Sequence, residues 1–178
     1  MKKNNILWLL LLALCSIFAA CKKDHPPKTE LEKLPPATQT GANTFGCLLN
    51  GQVWIPKDNY GQATFKLDVD PTFQNGAFGV RAIRYYSGQN FQSVSFGSDS
   101  CKTSGGYSFT VNRNRAGYAD YGIPLVLSSG DLGVICIGNF TITRYDVQNR
   151  IFSGTFEFTL SKGTDTIKIT QGRFDKKL

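Results

Sequence analysis

The chain has 178 residues, with 20 Lys and Arg against 13 Asp and Glu, 18 Gly, 5 Cys and one His. This length holds one packed core and excludes a second independently folded domain of ordinary size. The solitary His25 leaves no basis for a multi-histidine zinc site or for a Ser-His or Cys-His nucleophilic centre.

Met1-Lys2-Lys3-Asn4-Asn5 is basic, and the apolar run from Ile6 to Ala20 that follows is shorter than the roughly 20 residues a helix needs to cross a bilayer. A basic start, a short apolar run and small residues at its end are the pattern of an export signal, expected over residues 1–20. Ala19 and Ala20 directly before Cys21 resemble a lipobox, with Phe18 where that pattern usually carries Leu. The resemblance implies cleavage between Ala20 and Cys21 and a diacylglycerol on the Cys21 thiol. Residues 21–43 are rich in proline and charge, from Lys22-Lys23-Asp24 through Pro26-Pro27 to Pro35-Pro36, and the expectation is a lipidated, disordered tether. The domain proper is then expected over 44–178.

From Thr44 onward the dominant period is two. Phe65, Leu67 and Val69 alternate with Lys66, Asp68 and Asp70, and Phe152, Gly154, Phe156, Phe158 and Leu160 alternate with Ser153, Thr155, Glu157 and Thr159. Asn50-Gly51, Asn75-Gly76, Ser87-Gly88, Gly130-Asp131 and Ser161 to Thr164 supply turn chemistry between the runs. Strands are predicted near 44–50, 52–56, 62–69, 77–86, 91–97, 106–112, 117–127 with a break at Pro124, 133–145, 150–160 and 165–175. The expected fold is all-β, an antiparallel β-sandwich or partly closed barrel of about nine to eleven strands. Two runs change phase at a glycine, from Ile135 and Ile137 to Phe140 and Ile142, and from Ile167 and Ile169 to Phe174. Bulges are therefore predicted near Gly138 and Gly172.

Thr44-Phe45-Gly46-Cys47-Leu48-Leu49-Asn50-Gly51-Gln52-Val53-Trp54-Ile55-Pro56 resembles the opening hairpin of a family of small uncharacterised bacterial lipoproteins. Phe140 to Asp146, Ile151 to Phe158 and Ile167 to Asp175 are similar to that family's closing strands. The resemblance implies an all-β domain and an envelope location, and it carries no catalytic residues.

Export opens disulfide chemistry to the cysteines that stay in the domain. Cys47 lies between Phe45 and Leu49 on an apolar face, as a small buried thiol would. Cys101 and Cys136 form the candidate disulfide, with reduced thiols as the alternative. Glu157 falls on the polar face of its strand and reads as a solvated acid; Asp68 and Asp70 read as an exposed turn in preference to a weak calcium site. No metal, cofactor or catalytic residue is expected. The net charge of +7 is spread out, with one dense pair at Arg113 and Arg115, and lacks the concentrated stripe of a nucleic-acid binder. Aromatic side chains carry the binding signal: Tyr85 and Tyr86 before a turn, Phe91 after it, and Tyr107, Tyr118, Tyr121 and Tyr145 later. Trp54 alternates out of phase with Val53 and Ile55, so an exposed indole is predicted, and Trp54, Tyr85 and Tyr86 are the candidate ligand contacts. These features lead to a non-enzymatic envelope protein on the outer membrane, periplasmic or surface-facing, held by a lipid anchor. Its expected partner is an envelope protein or a polysaccharide, with carbohydrate binding as the alternative function and a hydrolase behind it.

Overall fold

The computed structural model describes residues 28–178 except 59, 60, 62, 74 and 111, so Ala20 and Cys21 lie outside the described residues. Alternation and turns become eleven strands: β1 (Thr44–Leu49), β2 (Gln52–Trp54), β3 (Phe65–Asp70), β4 (Ala77–Ser87), β5 (Asn90–Ser98), β6 (Gly105–Ser108), β7 (Asn114–Asp120), β8 (Leu125–Ser128), β9 (Ile135–Asp146), β10 (Ile151–Lys162) and β11 (Asp165–Lys177). The long run predicted over 117–127 is split by a turn ahead of Leu125, where Pro124 cannot donate to a ladder.

Two antiparallel sheets result. The first runs β2-β1-β11-β10-β9-β6 and the second β3-β4-β5-β7-β8; neither closes on itself, so the fold is a sandwich and not a barrel. The inward positions are dominated by phenylalanine. Phe96 of the second sheet meets Phe156 and Phe140 of the first at ring-centroid distances of 4.5 and 5.4 Å, and Phe78 meets Phe140 at 6.1 Å. Each buried Phe contributes about 2–3 kcal/mol through removal from water, and tilted ring pairs add up to roughly 1 kcal/mol more.

The bulge predicted near Gly172 is present. Phe156 pairs with Gly172 but Phe158 with Ile169, so β11 takes up an extra residue around Gln171, whose φ is 53°. Ile167, Ile169, Gly172 and Phe174 are thereby all buried. Near Gly138 no bulge forms. The β9–β10 register runs unbroken from Ile135 to Ile142 and shifts only beyond it, where Gly154 pairs with Ile142 and Ser153 with Arg144. Ile135 and Ile137 are simply outward, 61% and 64% exposed, and Cys136 takes the inward position. Gly138 answers a different need. A Cβ there would stand 2.2 Å from the Glu157 carbonyl oxygen, so glycine permits the close approach of β9 to β10.

The packed chain also begins earlier than the boundary expected at Thr44. Glu30 accepts a hydrogen bond from the Val53 backbone N–H at 2.7 Å, Leu34 is buried, and Pro35 rests against Gly46 on the outer face of β1. Asp175 fastens the rest. Fully buried, it accepts from the Thr38 and Ser153 hydroxyls at 2.6 and 2.7 Å and from the backbone N–H groups of Gly41, Thr40 and Ala42 at 2.8 to 3.0 Å. Burial pushes this carboxyl up, and the hydrogen bonds outweigh it, leaving it at about 2. A carboxylate with so many convergent donors holds residues 38–42, part of the stretch that composition alone assigns to a tether.

Candidate functional site

Of the three aromatic residues singled out from the sequence, Trp54 lies in β2 of the first sheet and Tyr85 and Tyr86 in β4 of the second; Trp54 and Tyr86 line one recess, and Tyr85 faces the other way. Trp54 is not exposed but 1% accessible, a correction with a simple cause. Hairpin register pairs Trp54 with Cys47, which puts the indole on the core side beside Phe45 at 6.0 Å. Ile55 is the residue left outside, 39% exposed. The indole Nε1 donates to Gln92 Oε1 at 2.9 Å, satisfying its one polar group.

Tyr85 and Tyr86 do turn to opposite faces, and neither joins the core. Tyr86 reaches inward and its hydroxyl donates to Asp120 Oδ1 at 2.6 Å. Gln92 Nε2 donates to Asp120 Oδ2 at 2.8 Å, the Gly122 N–H to Oδ1 at 2.9 Å, and the Tyr118 hydroxyl to Oδ2 at 3.4 Å. Cross-strand register aligns these groups, since Gln92 pairs with both Arg84 and Asp120. They wall a recess of about 450 Å³ at the open end of the sandwich, together with Trp54, Leu49, Ile123 and Ile167. Burial raises the Asp120 carboxyl, but the bonds from Tyr86, Gln92, Gly122 and Tyr118 prevail and hold it below its ordinary value. The same contact with Asp120 raises the Tyr86 hydroxyl, and burial adds to it. Gly122 completes the arrangement, because a Cβ there would lie 1.7 Å from the Tyr86 oxygen. The polar groups around Asp120 answer one another, so this network braces one wall of the recess.

Tyr85 points outward and begins a second surface. It packs on Phe91 at 5.5 Å, and Phe91 lies 4.3 Å from Tyr121, giving a row of three rings across β4, β5 and the end of β7. Tyr121 is 52% exposed. Beside this row the outer face is floored by small residues. Ser93, Ser95 and Gly97 of β5, Gly117 and Ala119 of β7, and Val126 and Ser128 of β8 line an open trough of about 320 Å³, with Arg115 at the end away from the rings. Register explains the floor: Ser93 pairs with Ala119, Ser95 with Gly117 and Gly97 with Arg115. At Gly97 a Cβ would meet the Phe78 carbonyl oxygen at 2.4 Å.

The remaining predicted sites are dispersed. The Cys101–Cys136 bridge does not form, and Cys47, Cys101 and Cys136 are free. Cys101 is buried beside Tyr107 and Tyr145, whereas Cys136 stands at the other end of β9, and the nine residues from 136 to 145 span roughly 30 Å. A disulfide bridges Cα atoms less than about 7 Å apart. Burial pushes the Cys47 thiol up to about 12 and Cys136 to about 11, so both are inert at neutral pH. Glu157 is exposed. Asp70 accepts from the Thr72 hydroxyl and the Thr72 and Phe73 N–H groups, the turn reading of this acid. Among the described residues no cluster of three metal-binding side chains occurs.

No family model, curated protein or solved structure matches the chain.

Proposed function

We propose that the protein is a non-enzymatic, lipid-anchored binding domain of the cell envelope, attached through Cys21 to the outer membrane and presenting the outer face of its second sheet to an envelope component. The observation that carries this reading is the geometry of the two outer faces. Residues 34–43 are fastened to the outer face of the first sheet through Gly46 and Asp175, and the aromatic-rimmed trough lies on the outer face of the second. Residues 34–43 and the trough occupy opposite sides of a two-layer sandwich, so a domain tethered through that segment would offer the other side to the periplasm or the cell exterior. The chain from Cys21 to Thr29 bridges at most roughly 28 Å at full extension, which keeps the domain close to the bilayer. The export signal, the lipobox-like Ala19-Ala20-Cys21 and the resemblance of the end segments to small lipoproteins support the same reading. The resting state of the recess supports a non-enzymatic role, since its one buried acid is committed to internal bonds.

Two experiments test it. Cys21→Ser should move the protein from the membrane to the soluble fraction, and retention in the membrane would contradict the anchor. A photo-crosslinking amino acid at Val126, on the edge of the trough, should capture an envelope component in intact cells, while the same probe at Val147, on the β9–β10 turn, should not. Equal capture at both positions, or at neither, would contradict the assignment of the binding surface.

A further inference from the structure

The trough is floored by hydroxyls that face out of the sheet. Ser93 is 8% exposed, yet its hydroxyl has no hydrogen-bond partner among the described residues and lines the trough on the outer face. A hydroxyl held at the floor of an open trough and unpaired within the protein is free to bond a ligand that settles there. Ser95 and Ser128 add two more hydroxyls along the same floor. Beyond one end, two residues along from Ser93 and Ala119, lies the Phe91–Tyr121 pair, whose rings are 4.3 Å apart with Tyr121 half exposed. At the other end Arg115 is the only charged residue lining the trough, and it makes no ion pair among the described residues.

We propose, resting on the binding surface assigned above, that the trough takes an acidic saccharide. A sugar ring presents C–H groups to an aromatic face and hydroxyls to its edges, which is what Tyr121 and the serines separately match. Side-chain-free Gly97 and Gly117 let a ring sit close to the sheet. The carboxylate or phosphate of the ligand meets Arg115, whose planar fork binds such groups in pairs of hydrogen bonds. From Tyr121 to Arg115 the strand runs roughly 20 Å, about the length of four pyranose rings at ~5 Å each. An added protein strand would pair along the free edge of β8, in the plane of the sheet, and would leave the trough on its face empty.

The test is isothermal titration of the full chain in detergent with two acidic tetrasaccharides, tetragalacturonate and the hyaluronan tetramer, and with neutral cellotetraose. At least one acidic tetramer should bind, at least tenfold more tightly than the neutral one. Arg115→Gln should remove most of that preference, Tyr121→Ala should weaken binding of all three, and Ser93→Ala should weaken binding severalfold while circular dichroism stays unchanged. Equal affinity for acidic and neutral tetramers, binding of none, or binding that survives Arg115→Gln and Tyr121→Ala would overturn the proposal. Capture of a protein by the probe at Val126 would leave the binding surface standing and remove the saccharide; no capture would remove both.

Discussion

The two faces of the second sheet use polar side chains in opposite ways at neighbouring positions. On the inner face Gln92 and Asp120 are woven into a closed set of bonds with Trp54, Tyr86, Tyr118 and Gly122. On the outer face Ser93, one residue along β5, makes no side-chain hydrogen bond among the described residues and lies at the floor of the open trough. Polar burial alone does not mark a binding site; what separates brace from site is whether the fold has already supplied the partner. Asp175 is the extreme of the first kind, with every donor turned to it coming from the protein itself.

Substitutions that break the comparison should rank accordingly. Asp175→Ala, which strands several buried donors and frees residues 38–42, should cost about 3–4 kcal/mol in urea denaturation and accelerate amide exchange at Thr40, Gly41 and Ala42. A loss below about 1 kcal/mol would contradict the clasp. The same residue sets an acid limb. Its folded value of about 2 lies below the ordinary ~3.9, so its stabilisation is complete above pH ~4 and is lost as pH falls from about 4 to about 2. That contribution, up to about 2.5 kcal/mol, should vanish in Asp175→Asn. Asp120→Asn, which keeps one acceptor oxygen, should cost less, about 1–2 kcal/mol. It should also let the Tyr86 hydroxyl titrate at lower pH than in the parent, because the acid that raises it is gone. An unchanged ultraviolet tyrosine titration would break that link. Smallest of all, Tyr145→Phe removes a buried hydroxyl with no partner among the described residues, and Ser93→Ala a solvent-facing one with none there either, so each should leave stability within about 0.5 kcal/mol of the parent or raise it. A larger loss at Ser93 would place it among the braces.

Much of this organisation was legible in the amino-acid order. The alternation of 151–160, the turn chemistry and the phase change at Gly172 led to an antiparallel β fold with a bulge where one exists. The phase change at Gly138 misled because Ile135 and Ile137 are outward, and nothing in an isoleucine's hydrophobicity says which face of a strand it occupies. Trp54 was misplaced for the same reason: hairpin register, not alternation with Val53 and Ile55, decides its face. Asp120 did leave a signal, an acid in phase with the apolar Ala116 and Tyr118. Asp175 left none, since its face is outward until residues 38–42 fold over it. The trough was invisible for a similar reason. Its serines and glycines come together only through pairing of β7 with β5 and β8, and each alone reads as an unremarkable strand residue.

The central claim is that the outer face of the second sheet is occupied where the protein works. Carbene footprinting of the full chain in isolated envelopes, compared with the same chain after detergent extraction and purification, tests this most directly. Phe91, Tyr121 and Val126 should be labelled less in envelopes than after purification, while Ile137 and Val147 should label equally in both. Equal labelling of all five, or protection at Ile137 in place of Tyr121 and Val126, would contradict the account.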